Sequence, residues 1–217
     1  MSRDEALMAS GPRTLPYLAL GDSYTIGESV EEAGRWPVQL AHALRAEGIA
    51  LDDPRIIATT GWTTDELSDA IDAVQPASDF ALVSLLVGVN NQYRGRGLDE
   101  YRTQFDALLQ RATGFAAGRA GRVLVLSIPD WGVTPFAQSS GRDTAAIARE
   151  LDAFNAAARQ LCAARGIAFV DIAPVSRARG AEPGMLAGDG LHPSAAMYAQ
   201  WAQLALPVAR RLLSRDD

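Results

Sequence analysis

Five short apolar runs alternate with helical patterns along this chain, and that alternation limits its possible folds more than any other feature. The runs are Tyr17–Leu20, Arg55–Ala58, Phe80–Val87, Arg122–Ser127 and Ile167–Asp171. Each is rich in Val, Ile, Leu or Phe and is apolar throughout rather than at alternate positions. Strands buried on both faces read this way. Between the runs, apolar residues recur at spacings of three and four over Trp36–Glu47, Asp65–Val74, Asp99–Arg111, Thr144–Arg165 and Ser194–Leu213. Pro37 suits the first turn of its helix, where a missing N–H costs nothing. Thr63 and Glu66 have the spacing of a capping box, and Asp65 adds a negative charge where the helix dipole favours it. Gly48 and Gly166 stand where two helices should stop. Strand and helix in strict alternation predict an α/β protein. The expected architecture is a three-layer α/β/α sandwich around a five-stranded parallel sheet.

No linker, repeat or low-complexity tract interrupts the 217 residues, so one domain spanning 1–217 is expected, with residues 1–14 as a flexible lead-in. The longest irregular segment is Pro129–Arg142. It follows a strand's C-terminal end, where open α/β sheets hold their ligands. A formal net charge of -6 and only scattered arginines argue against a nucleic-acid partner, which requires a basic face. The first residues carry two acidic side chains and no apolar run, and no segment is long enough to insert stably in a membrane. A cytoplasmic location is the plain expectation, although a secreted chain whose leader had been removed would look the same. Cys162 is the sole cysteine, in an Ala-rich helical stretch, and is expected to be a core residue. With one cysteine and two distant histidines, no metal site and no cofactor is expected, and no phosphate-binding glycine loop is present. Oligomeric state is not legible.

The candidate chemistry lies at strand ends. His42 falls within a helical pattern and reads as a helix-face residue. His192 stands in the turn GDGLHPS before the last helix, three residues after Asp189. A tight turn can bring that carboxylate to the imidazole and fix its tautomer, as a general base requires. The same segment could equally be a turn in which Asp189 binds its own backbone. The first strand runs into Gly21-Asp22-Ser23-Tyr24, the second ends near Gly61, and the third ends in Gly88-Val89-Asn90-Asn91. A serine, a glycine N–H and an asparagine amide at such positions can serve as nucleophile and oxyanion donors. Each signal taken singly is weak. The G-x-S-x-G elbow of α/β-hydrolases is not present at Ser23, because Thr25 occupies the second glycine position.

Taken together and in order, GDSY at 21–24, Gly61, GVNN at 88–91 and DGLHPS at 189–194 resemble the four sequence blocks of the SGNH hydrolases, also called the GDSL esterase/lipase family. The resemblance spans nearly the whole chain and implies a flavodoxin-like sandwich. It further implies Ser23 as nucleophile, His192 as base and Asp189 as its orienting acid. The oxyanion hole would be built from the Ser23 N–H, the Gly61 N–H and the Asn90 amide. The chain departs from the family pattern at Tyr24, where the namesake motif has Leu, and at Asn91, where Asp is common. The usual Asn ahead of Gly61 is also missing. These departures bear on substrate preference.

The expected activity is hydrolysis of a small-molecule carboxylic ester, with a short acyl or acetyl group, through an acyl-serine intermediate. A thioesterase, lysophospholipase or acyltransferase would use the same residues, and a non-catalytic binding module of the same fold is the remaining alternative. Tyr24, Trp62, Asn91, Trp131 and Phe136 are the candidate substrate contacts. Tyr93, Arg94 and Arg96 could meet an anionic or sugar-like group, or could equally belong to a solvated loop.

Overall fold

The computed structural model describes residues 14–214, so the lead-in expected over residues 1–14 lies, apart from Thr14, outside the described residues. The chain runs β1 (Tyr17–Gly21), α1 (Ser23–Ile26), α2 (Trp36–Ala46), β2 (Arg55–Ala58), α3 (Thr64–Val74), β3 (Leu82–Leu86), α4 (Val89–Tyr93) and α5 (Leu98–Phe115). It continues through β4 (Val123–Leu126), α6 (Pro135–Ser139), α7 (Thr144–Arg165), β5 (Ala168–Val170), α8 (Ala173–Arg179) and α9 (Ala195–Leu213). Every expected strand and every expected long helix forms, with ends displaced by at most a few residues.

The described strands are all parallel, in the order β2-β1-β3-β4-β5. β1, β3 and β4 are buried along their whole length, so no polar alternation is needed. On one side α9 packs on β3, β4, β5 and α2; on the other, α5 packs on β3, α3 and α7. The capping box at the start of α3 is present, with the Thr63 N–H donating to the Glu66 carboxylate at 2.9 Å.

The strand order dictates where a ligand can bind. From β1 the chain steps outward to β2, then returns to place β3 on the other side of β1. The chain leaves β1 towards β2 and leaves β3 towards β4, in opposite directions, which opens a crevice at the carboxyl ends of β1 and β3. Gly21 at the end of β1 is in register with Leu86 of β3 and Ala58 of β2. The three segments that leave these strands therefore begin side by side. Gly21 has to be glycine there: a Cβ would lie 2.4 Å from the Leu86 carbonyl oxygen and 2.2 Å from Thr25 Oγ1.

Four short helices were not foreseen: α1, α4, α6 and α8. Pro129–Arg142, expected to be irregular, instead contains a 3-10 turn at Trp131–Val133 and α6. Its order comes from local caps that a periodicity reading does not register. Asp130 accepts from the Gly132 N–H at 2.8 Å, and Thr134 Oγ1 accepts from the Ala137 N–H at 3.2 Å.

Candidate active site

A cavity of about 230 Å³ opens at the switch point. Ser23, Gly61, Asn90 and His192 all line it. Thr60, Val89, Tyr93, Trp131, Phe136 and Leu191 supply most of its remaining wall. Four stretches distant in sequence thus meet around one small space.

Ser23 opens α1. Asp22 caps that helix by accepting from the Tyr24 N–H at 3.0 Å. As the first helical residue, Ser23 has no carbonyl one turn back to receive its own N–H. Among the described residues neither its N–H nor its hydroxyl has a hydrogen-bond partner, so both are available at the cavity. Ser23 Oγ and His192 line the same wall without a hydrogen bond between them; such contacts are often loose until substrate arrives.

His192 is held from behind. Its Nδ1 lies 2.7 Å from Asp189 Oδ2, while Asp189 Oδ1 accepts the N–H groups of Leu191 and His192, each at 2.9 Å. Partial burial pushes the Asp189 carboxyl upward. The His192 ring and the two N–H donors outweigh that and hold it below the usual carboxylate value. An ionised Asp189 fixes the proton of a neutral imidazole on Nδ1 and leaves Nε2 as the acceptor. The Tyr24 ring meets His192 edge-on, with 5.9 Å between centroids, and is itself backed by Trp201. Tyr24 is therefore a buried wall against the imidazole, and its phenol is kept neutral by burial.

Gly61 adopts φ +90°, a conformation that a side chain would strain, and its N–H has no partner among the described residues. The β2 and β3 loops are joined by side chains of the third block. The Asn90 amide donates one hydrogen to the Trp62 carbonyl at 2.9 Å, which leaves its second for the cavity. Arg94 donates to the Gly61 carbonyl at 2.7 Å and pairs with Glu66 at 3.0 Å.

Two expected substrate contacts are not at the cavity. Asn91 is completely buried and brackets Thr64, accepting from its N–H at 3.1 Å and donating to its hydroxyl at 2.7 Å. Trp62 packs half-buried against the core and contributes its carbonyl to Asn90 rather than its indole to the cavity. Arg94 and Arg96, which could have met an anionic or sugar-like group or belonged to a solvated loop, are both engaged by protein groups. Arg94 holds the Gly61 loop, and Arg96 pairs with Asp65 at 2.7 Å and Glu100 at 3.3 Å. Asn91 lies within α4, which was not foreseen, and its side chain turns into the core.

Trp131 and Phe136 do line the cavity and form an aromatic wall with Tyr93. Trp131 is fixed by its indole N–H, which donates to Gln92 Oε1 at 2.9 Å. The Arg142 guanidinium lies 4.2 Å from the Tyr93 ring centroid and donates twice to the Tyr93 carbonyl, at 3.0 Å each. Among the described residues no group of three or more His, Cys, Asp or Glu side chains could hold a metal. Cys162 is fully buried and its thiol is pushed up to about 12 by desolvation, as a core residue should be. No described helix is long and apolar enough to cross a membrane.

Asp22 was missed as a residue of interest. It is fully buried directly before Ser23, and its Oδ2 has no partner among the described residues. Burial pushes its carboxyl up to about 7, opposed by the Tyr24 N–H and, after it, by the N–H groups of Gly88 and Asp22.

Fold and site define an α/β/α hydrolase whose cavity opens at the β1/β3 switch point. A profile of the GDSL-like lipase/acylhydrolase family matches residues 19–200, and the chain belongs to that family. Solved structures similar to it include TesA, with 22% identity over 92% of this chain and 99% of that one, at a TM-score of 0.68. The psychrotrophic esterase EstA from Pseudoalteromonas sp. shares 15% identity, with 92% and 99% of the two chains covered and a TM-score of 0.69. Axe2, an acetylxylan esterase from Geobacillus stearothermophilus, shares 18% over 93% and 95%, at 0.63. At these identities the likeness speaks for the fold. No curated protein matches the chain.

Proposed function

We propose that the chain is a serine esterase that hydrolyses short-chain acyl or acetyl esters. The observation that carries this reading is the meeting of Ser23, Gly61, Asn90 and His192 around one cavity, with Asp189 2.7 Å behind the imidazole. In the reaction, Ser23 Oγ attacks the ester carbonyl and passes its proton to His192 Nε2. The carbonyl oxygen becomes an oxyanion that receives the Ser23 N–H, the Gly61 N–H and the free Asn90 amide hydrogen. Collapse of the tetrahedral intermediate breaks the C–O bond, and His192 returns the proton to the leaving alkoxide. Water repeats the sequence on the acyl-serine and releases the acid. Asp189 stays ionised throughout and stabilises the imidazolium.

Cavity size supports a short acyl group. About 230 Å³ lies below the range of roughly 300–1,000 Å³ common for drug-sized ligands. The wall of Tyr93, Trp131 and Phe136 is apolar, and among the described residues no free cation lines it to select an anionic substrate.

Steady-state hydrolysis of a p-nitrophenyl ester series from acetate to octanoate tests the reading. Activity should peak at two to four carbons, and Ser23→Ala or His192→Ala should lower kcat by about 10⁶-fold. Turnover that survives Ser23→Ala would end the reading. Product analysis with a competing alcohol separates hydrolysis from acyl transfer.

A further inference from the structure

Ser29 has φ +65°, a left-handed backbone conformation rarely adopted by residues with a side chain. Gln75 and Ala117 are the other described non-glycine residues with positive φ, and both lie at the C-terminal ends of helices, where such a conformation is routine. Ser29 ends no helix, because Gly27 already caps α1. Its hydroxyl reaches a residue 160 positions away and donates to Asp189 Oδ2 at 3.2 Å. That same oxygen faces His192 Nδ1. A strained backbone that presents one polar group to a functional carboxylate points to a role for that group.

The start of the loop carrying Ser29 is tied to Ser23, since the N–H groups of Gly27 and Glu28 both donate to the Ser23 carbonyl at 3.0 Å. Asp189 Oδ1 is bound only to N–H groups of its own turn, at Leu191 and His192. Those bonds fix the carboxylate to the imidazole but not to the nucleophile. Among the described residues, the Ser29–Asp189 bond is the one hydrogen bond that joins residues 22–30 to residues 186–192.

We propose that Ser29 is a positioning residue that ties the nucleophile loop to the Asp189–His192 turn and so sets the distance between the Ser23 hydroxyl and the imidazole. The inference rests on the triad assigned under the proposed function. As a neutral donor Ser29 adds no charge to the site; it aligns the carboxylate and, through it, the ring. Losing that alignment slows proton transfer and leaves the substrate-binding wall unchanged, so kcat should fall while KM holds.

The test compares Ser29→Ala, Ser29→Gly and Ser29→Asn with wild type and Ser23→Ala, by kcat and KM on p-nitrophenyl acetate and by Tm. Ser29→Ala and Ser29→Gly should each lower kcat about tenfold with KM within about twofold. Ser29→Gly should have a Tm at or above wild type, because glycine accepts the left-handed conformation freely. Asparagine tolerates that conformation and carries an N–H donor, so Ser29→Asn should recover kcat to within about threefold of wild type. Wild-type kcat in Ser29→Gly, with Ser23→Ala inactive, would overturn the positioning role and leave the triad standing. A kcat loss in Ser29→Gly matched by a lower Tm and a higher KM would also overturn it, by making Ser29 a structural element. Retained turnover in Ser23→Ala would remove the triad and this inference together.

Discussion

Replacing Asp22 with asparagine should change how stability responds to pH. The wild-type carboxyl is fully buried, accepts a single hydrogen bond and leaves Oδ2 without a partner among the described residues. Its pKa is raised from 3.8 to about 7, chiefly by desolvation. Over the interval between these values the folded protein holds a proton that the unfolded chain has released. The stability this contributes is complete below the unfolded value and is lost as pH rises through the folded one. Each unit is worth about 1.36 kcal/mol. Between pH 5 and pH 9 roughly two units separate the starting point from the folded pKa, so about 3 kcal/mol should be lost. The substituted amide keeps an oxygen to accept from Tyr24 and carries no charge, so the variant escapes that loss. For a chain of this length about 3 kcal/mol corresponds to roughly 6–12 °C. The assay is thermal melting of both proteins by circular dichroism from pH 5 to pH 9. The Tm of Asp22→Asn minus that of wild type should grow by that amount across the range. A difference constant with pH would show that Asp22 is already ionised in the fold and would refute the reasoning.

Asn90→Ala should lower kcat by about 10²–10³-fold, since one oxyanion donor is lost; single-turnover kinetics would detect it, and wild-type activity would exclude the amide from that role. Asn91→Ala should act on stability instead. Removing both of its bonds to buried Thr64 should cost about 2–4 kcal/mol, measured by urea unfolding. Phe136→Ala opens the aromatic wall and should raise kcat/KM for hexanoate and octanoate esters relative to acetate. Gly21→Ala should fail to fold stably, because its new Cβ would meet the Leu86 carbonyl oxygen at 2.4 Å, a clash between β1 and β3 that shows as loss of cooperative melting.

Much of this protein was legible from residue order alone. Continuous apolar runs such as 82–86 and 123–126 read as strands buried on both faces, and helices such as Thr144–Arg165 carry their caps and stops in the sequence. Alternation of the two leads to a parallel sheet, and a parallel sheet places its functional groups at the carboxyl ends of its strands. That edge is where Ser23, Gly61 and Asn90 stand, but each was a weak signal alone, and it was the ordered resemblance to the four SGNH blocks that singled them out together with His192. Tertiary structure decided what those residues touch. Whether residues 89–93 form a loop or a turn of helix depends on the neighbouring segments they pack against, not on periodicity; in the fold Asn91 is buried in the core and Arg94, just past the helix, reaches the Gly61 carbonyl. The burial that raises Asp22 and the reach of Ser29 to Asp189 have no local signature, because each depends on chain segments that meet only when the sheet closes.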